Sequence, residues 1–405
     1  MSATSTGLSP SAAPGEILIT LEGGDRESAS ESAASIRARL ASRFARCTAT
    51  VLVTTAGPEP ALVDPAAAPD APPAAAGPAL AEGLIAGRLR AVLREADRRG
   101  ARAAALLSAG PHDESVDWLG LLLQPILEED FDFVCPSYRR GKLDGMLNTA
   151  IVYPMTRALY GRRLRQPTGW EAAISLGLAR SLLAQPAWRR DPVYAGSGAW
   201  LVASALAGPF RACQTWLGRW PGSAGQGEDA SQALARIVGP LFHEMERYAD
   251  RWQRVEGSEP VPSFGQAGVL NGEPSEVDLG ALEDGFRLGL RELEALWGLV
   301  LPPATLLALR RAAAAPAGQA RVSDPLWARI VYDFAVAHFT RAVEPQQLLR
   351  SMTSLYLGWV RGFADDVREL DGDGTEARVE ALCGWFEREK RYAIARWRWP
   401  DGFNP

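Results

Sequence analysis

Ile17-Leu18-Ile19-Thr20-Leu21-Glu22-Gly23-Gly24 is a short apolar run ended by a glycine pair, and it reads as a strand. Residues 30–46 follow as a helix, with Ile36, Leu40 and Phe44 spaced at i, i+4 and i+8. Thr50-Val51-Leu52-Val53-Thr54 is a second β-branched run, stopped by Gly57-Pro58. Strand, helix and strand in this order make a βαβ unit, which favours a parallel sheet.

Outward from this unit the same alternation continues. Residues 58–78 are rich in Pro and Ala and read as a flexible loop. Residues 80–99 form a helix with Leu84, Leu89, Val92, Leu93 and Ala96 on one face and Gly100 as its C-cap. Residues 103–107 and 131–135 are further strands. The helix expected between them, over 116–129, carries Pro125 as a kink and takes Asp113 or Ser115 as its cap. In such a fold the loops after the strands share one edge, where open α/β sheets bind ligands. From about residue 232 onward the pattern is helical, over 237–252, 278–299, 325–339, 346–367 and 377–397, with no strand. The expected organisation is a tail over 1–14, an α/β domain over 15–225 and a helical domain over 226–405.

Composition narrows the function. The 405 residues carry 43 Lys+Arg against 48 Asp+Glu, a formal charge of −5, which argues against a nucleic-acid partner. Hydrophobic residues are 47 % and charged residues 22 %, as in an ordinary globular chain. The four cysteines, Cys47, Cys135, Cys213 and Cys383, are far apart, which points to reduced, buried thiols in a cytoplasmic protein. Residues 1–14 have neither a basic nor an apolar block, so no signal peptide is expected, and no apolar run is long enough to span a bilayer.

No Gly-x-Gly-x-x-Gly, P-loop, nucleophile elbow or His-Glu-x-x-His occurs. Two polar stretches remain. Cys135-Pro136-Ser137-Tyr138-Arg139-Arg140-Gly141-Lys142-Leu143-Asp144-Gly145 follows a strand and offers Arg139, Arg140 and Lys142 to an anion and Asp144 to a hydroxyl. The plain alternative is a solvated loop. Arg162-Arg163-Leu164-Arg165-Gln166-Pro167-Thr168-Gly169-Trp170-Glu171 can hold a carboxylate or phosphate ahead of a helix beginning near Glu171. It can equally be the basic end of a helix over 149–160 complementing its dipole.

Taken together, several segments resemble bacterial GT-A glycosyltransferases of the glucosylglycerate/mannosylglycerate synthase type. These are Asp132-Phe133-Val134-Cys135-Pro136-x-Tyr138, Lys142-Leu143-Asp144-Gly145, Asn148-x-x-Ile151-Val152-Tyr153-Pro154-x-Thr156-Arg157-Ala158-Leu159-Tyr160-Gly161 and Arg165-Gln166-Pro167. The likeness continues through Phe210-Arg211-x-Cys213-Gln214-x-x-Leu217-Gly218, Glu256-Gly257-Ser258-Glu259-Pro260-Val261-Pro262 and Trp327-x-x-Arg329-Ile330-Val331-Tyr332-Asp333-Phe334, and so covers roughly residues 15–397. The resemblance implies a GT-A, Rossmann-like α/β domain followed by an all-helical C-terminal domain. It implies a divalent Mg or Mn ion and retaining transfer of a hexose from a sugar nucleotide to a small hydroxy acid.

The family's charged site positions have departed. Its nucleotide loops are Leu21-Glu22-Gly23-Gly24-Asp25 and Thr54-Thr55-Ala56-Gly57-Pro58 here. Its Gly-Lys-Gly is Leu84-Ile85-Ala86-Gly87-Arg88, with Arg88 as an electrostatic substitute. Its Asp-x-Asp is Ser108-Ala109-Gly110, and one hydroxyl does not replace two hard-cation carboxylates. The later ligand His is absent from Gly218-Arg219-Trp220-Pro221-Gly222-Ser223. Gly-Gly-Asp is Gly169-Trp170-Glu171, which puts an indole toward the sugar pocket, and a late Asp is replaced by Gly198 in Ser197-Gly198-Ala199-Trp200. Metal ligands are therefore expected to be missing, with His112 and Asp113 the remaining candidates, and no cofactor is expected.

The first expectation is a GT-A protein that has lost metal-dependent transfer and acts as a binding or regulatory scaffold. It would be homo-oligomeric or paired with an active relative. Arg139, Arg140, Lys142, Asp144, Arg165 and Gln166 would be its substrate-binding residues for a sugar nucleotide or small anionic acceptor, and Glu171 its catalytic candidate. A second expectation is a metal-independent hexosyltransferase in which Arg88, Arg139, Arg140, Lys142 and Arg165 neutralise the diphosphate. A third makes the helical half the functional surface, marked by an exposed apolar patch.

Overall fold

The computed structural model describes residues 15–22, 26–54, 62–64, 82–108, 112, 115–169, 171–220, 229–266 and 277–400. Its first half contains β1 (Gly15–Glu22), α1 (Arg26–Arg43), β2 (Cys47–Thr54), β3 (Leu62–Val63), α2 (Glu82–Arg99), β4 (Ala103–Ser108), α3 (Trp118–Glu129) and β5 (Phe133–Arg139). A π-turn over Asn148–Val152 leads into α4 (Tyr153–Tyr160), followed by β6 (Arg162–Arg163), β7 (Ala172–Ser175), α5 (Leu176–Leu183), α6 (Ala187–Arg190), α7 (Gly198–Ala207) and β8 (Ala212–Arg219). Eight strands form one sheet in the order β10-β8-β5-β7-β4-β1-β2-β3, where β10 is Ser263–Phe264.

The alternation of β1 explains the layers. Ile17, Ile19 and Leu21 face a core with Ile36 and Leu40 of α1 and Leu119, Leu122 and Leu123 of α3. Leu18 faces the other way, into a core with Leu89 and Leu93 of α2. That second core continues without a break into the C-terminal helices through Trp327, Trp359 and Phe386.

These helices are α8 (Ala230–Arg247), α9 (Ala249–Trp252), α10 (Leu279–Trp297), α11 (Pro303–Ala313), α12 (Asp324–Thr340), α13 (Pro345–Ser351), α14 (Thr353–Val367) and α15 (Gly372–Arg398). Leu288, Leu299, Leu307 and Trp399 are exposed large apolar side chains of this half.

Several expectations need correction. The sheet is mixed, because β7 runs antiparallel between β4 and β5, and β3 antiparallel to β2. The helix expected near Glu171 is β7 instead: Ala172 to Ser175 pair with both flanking strands, so tertiary pairing overrides the helical propensity of alanine. The helix over 149–160 is a π-turn followed by α4, which ends on Gly161 at φ +67°. Two short strands interrupt the helical region, β9 (Glu259–Pro260) beside β6 and β10 beside β8. The helix begins later than expected, at Trp118, and its cap is Asp117, whose side chain accepts from the Gly120 amide. The helix expected over 346–367 is two helices that meet at Met352, and α11 is an additional one. The tail over 1–14 and most of the Pro/Ala loop lie outside the described residues. The four cysteines are free, three of them buried, and burial pushes the Cys135 thiol up to about 12.

Candidate functional site

Parallel β1, β2, β4, β5 and β8 all end at one edge, at Glu22, Thr54, Ser108, Arg139 and Arg219. Antiparallel β7 begins at that edge, with Ala172 opposite Leu106. The residue before it, Glu171, is thereby delivered beside the ends of β4 and β5. Glu171 Oε1 accepts from the Ser108 amide at 3.0 Å, and Oε2 accepts from the Tyr138 hydroxyl. The catalytic candidate thus has both oxygens engaged by protein groups and is buried.

Tyr138 reaches Glu171 because the β5–β8 pairing slips here. Ser137 faces Trp216 and Arg139 faces Arg219, so Leu217 and Gly218 oppose the single residue Tyr138. Gly218 has φ +84°, the conformation such a bulge requires. Gln166 completes the brace: its amide donates to the Tyr138 carbonyl at 2.8 Å and accepts from the Tyr138 amide at 3.3 Å.

The loop after β5 then enters a small cavity. Arg140, Lys142, Asp144, Arg165 and Gln166 line it together with Asn148. Five of the six residues assigned to ligand binding from sequence are therefore neighbours; Arg139, which is exposed, does not line the cavity. The cavity volume is about 20 Å³, room for a water. A nucleotide sugar needs a site of some hundreds of Å³.

The cations of this cavity are mostly committed. Lys142 Nζ donates to the carbonyls of Val367, Arg368 and Leu370, so an ammonium sits on the negative end of α14. Arg165 makes a two-pronged pair with Glu376 of α15, Nε to Oε2 at 2.9 Å and Nη2 to Oε1 at 3.1 Å. Asp144 Oδ2 accepts from the Gly141 amide at 2.9 Å. Arg140 lies 4.0 Å from the Trp220 ring centroid, and burial lowers its pKa. Arg140 Nε and Asn148 Oδ1 are buried without a hydrogen-bond partner.

The other arginines of the second stretch are also engaged, Arg162 with Glu259 and Arg163 with the Ser258 hydroxyl. Sequence reasoning missed Arg157 altogether as an ion-pair centre. It is 5 % exposed, with Nε 2.8 Å from Glu387 Oε1 and Nη1 on Glu380. Tyr153 adds a 2.8 Å hydrogen bond to Glu380. The available signal was acidic spacing in α15: Glu376, Glu380 and Glu387 lie four and seven residues apart, on one helix face.

Arg88, on α2, is 2 % exposed, and its Nε and Nη2 have no hydrogen-bond partner. It interacts electrostatically with Glu22 at the end of β1, whose pKa burial raises against that attraction. His112 stacks on Trp118, ring centroids 3.9 Å apart. Asp113 and Trp170 lie outside the described residues. Among the described residues no three His, Cys, Asp or Glu side chains converge as a metal site.

Gly198, where the resemblance places a lost carboxylate, begins α7 against the Thr168–Gly169 backbone. A Cβ there would stand 1.9 Å from the Thr168 carbonyl oxygen. The position is closed to any side chain in this packing.

No protein-family model matches the chain, and no curated protein matches it in sequence. Among solved structures, one alignment is with glucosyl-3-phosphoglycerate synthase from Mycobacterium tuberculosis, in complex with Mn²⁺, UDP-glucose and phosphoglyceric acid. It covers 58 % of this chain and 80 % of that one at 15 % identity, with a TM-score of 0.30. A likeness of that size bears on neither activity nor site residues.

Proposed function

We propose that the chain is a glycosyltransferase-like protein of GT-A type that does not catalyse metal-dependent transfer and works as a binding or regulatory scaffold. The observation that carries this reading is the reuse of its charged residues. Lys142 and Arg165, which sequence assigns to a ligand, hold α14 and α15 instead, and Glu171 braces the ends of β4 and β5. Transition-state stabilisation needs charges aimed at the reacting group. Charges already paired inside the protein do not supply it. The closed position at Gly198 supports the same reading. The test is product release: the protein incubated with UDP-glucose or GDP-mannose, Mn²⁺ and glycerate, with nucleoside diphosphate quantified. No release above the protein-free rate is expected. Metal-dependent release would overturn the reading.

One observation favours a second reading, metal-independent transfer. The buried Arg88 guanidinium keeps two donors without partners beside Glu22 at the end of β1, a placement suited to an anionic diphosphate. Transfer without added metal that is lost in Arg88→Ala would support it.

A further inference from the structure

The two most exposed large apolar side chains among the described residues are Leu299 and Trp399, each 68 % exposed, and one guanidinium ties together the turns that carry them. Arg396 of α15 donates from Nη1 to the Pro400 carbonyl at 3.1 Å and from Nη2 to the Val300 carbonyl at 3.4 Å. Its Nε is anchored on the buried Asp333 at 3.0 Å. The turn between α10 and α11 therefore lies against the end of α15. Trp297, Val300 and Leu301 fix that turn in the core, and Leu299 is left outside. Surface turns are normally polar. Here residues 295–309 hold no charged side chain, and Gly298, Pro303 and Ala304 are exposed along with Leu299.

Cations flank this end. From Lys390 to Pro400 the chain has no acidic residue, in a protein of net charge −5. Arg391 and Arg398 are both exposed and lie seven residues apart, on one face of α15. Arg398 Nε donates to Gln253 Oε1 at 2.9 Å, which brings the end of α9 alongside, with Arg251 and Arg254 exposed. The same segment carries two exposed acids, Asp250 and Glu256, so the excess of cations comes from α15.

We propose that this end of the helical half docks on the surface of an anionic lipid bilayer, with Leu299 and Trp399 entering the headgroup region and Arg391 and Arg398 meeting lipid phosphates. An indole suits the membrane–water interface, because its ring is apolar and its N–H is polar. Arginines at that level gain from the negative surface potential of the lipid. A second copy of the chain would need a broader face, since a stable interface covers about 800 Å² on each partner. The exposed parts of one indole and one leucine side chain amount to about 300 Å² at most. Neither side chain belongs to a helix face: Leu299 is in a turn and Trp399 follows α15. Shallow, reversible insertion of a few apolar side chains beside cations matches that shape. The docking places the chain at a surface and stands whether or not the cleft after β5 takes a ligand.

The experiment is co-sedimentation of the full chain with vesicles of phosphatidylglycerol and, separately, of phosphatidylcholine, at low and at high salt. Binding to phosphatidylglycerol at low salt is expected, at least about tenfold weaker on phosphatidylcholine. High salt should weaken it likewise, because exposed charges are screened. Leu299→Ser combined with Trp399→Ser should lower the partition at least about tenfold, and so should Arg391→Glu combined with Arg398→Glu. Melting temperatures check that the variants fold, and substitutions this exposed are ordinarily tolerated. Where a double variant does not fold, L299S and W399S singly carry the test, each expected to lower the partition about threefold. No binding to phosphatidylglycerol by wild type, or equal binding by the folded L299S/W399S variant, overturns the proposal. Sedimentation velocity without lipid reads the other occupant: a wild-type dimer that L299S/W399S converts to a monomer would assign this end to self-association and overturn lipid docking.

Discussion

Gly198 and Thr168 approach so closely that a Cβ on Gly198 would lie 1.9 Å from the Thr168 carbonyl oxygen. The approach is reciprocal: a Cβ on Gly169, at φ +67°, would lie 2.5 Å from the Gly198 carbonyl oxygen. Two glycines therefore let α7 start against the segment that precedes Glu171. Gly198→Ala is expected to destabilise the protein by about 3 kcal/mol, as overpacking against backbone does. Gly198→Asp should be at least as destabilising and should confer no transfer activity. Denaturant midpoints check the first point, and an unchanged midpoint in G198A would contradict it.

The ion pairs that join the two halves differ in burial, and so in expected worth. Arg157 is 5 % exposed between Glu380 and Glu387, whereas Arg162 and Glu259 are 49 % and 77 % exposed. Arg157→Ala should cost about 3 kcal/mol, because it breaks a buried network. Arg162→Ala should cost under about 0.5 kcal/mol. Arg157→Lys should recover only part, since an ammonium cannot fork between two carboxylates. Equilibrium unfolding of the three variants reads the difference, and equal losses in R157A and R162A would refute the assignment.

Tyr138→Phe leaves Glu171 Oε2 without its hydroxyl donor in a buried place. The expected loss is about 1–3 kcal/mol of stability. Glu171→Gln retains the shape and should lose less. Urea titration of both variants checks the order; a neutral Y138F would mean that Glu171 is not the brace described above.

Glu244 on α8 is fully buried and Oε1 has no partner, while Oε2 accepts from Arg247 Nη1 at 3.1 Å. Burial outweighs that attraction and raises its pKa to about 7. A raised carboxyl binds its proton more tightly in the folded state, so its contribution is fully present below the ordinary value of 4.5 and is lost as pH rises through about 7. Glu244→Gln mimics the protonated form and should gain stability relative to wild type between pH 5 and pH 8. Melting temperatures of both proteins at the two pH values check this, and a pH-independent difference would contradict it.

His338 on α12 has the opposite sign. It is fully buried, and burial with the neighbouring Arg341 lowers its pKa to about 4. Its neutral form stabilises the fold above the ordinary value of 6.5, and this is lost as pH falls through about 4.

Much of this fold was legible in the sequence because apolar periodicity is a local signal. Ile17 to Leu21, Thr50 to Thr54 and the Leu89–Val92–Leu93 face read directly as the strands and helix found. Antiparallel β7 was not legible: Ala172-Ala173-Ile174-Ser175 has little strand propensity, and only the vacancy between β4 and β5 makes it one. The place of Arg140, Lys142 and Asp144 at the sheet edge was legible because they follow a strand, whereas Arg165 and Gln166 read as the sequel of a helix and join them in the cavity only in the fold. The partners of Lys142 and Arg165 were not, because Leu370 and Glu376 lie more than two hundred residues away in sequence. Asp366 and Asp371, which looked like idle surface charges, pair with Arg321 and Arg378 and cap α15, respectively.

The central proposal is that this protein does not use a divalent metal to act on a sugar nucleotide. Calorimetric titration of the protein with UDP-glucose and with GDP-mannose, each with and without Mn²⁺, tests it most directly. The account predicts identical isotherms in the presence and absence of Mn²⁺ and no heat of continuing turnover. Binding that appears or tightens at least tenfold only with Mn²⁺ would contradict it.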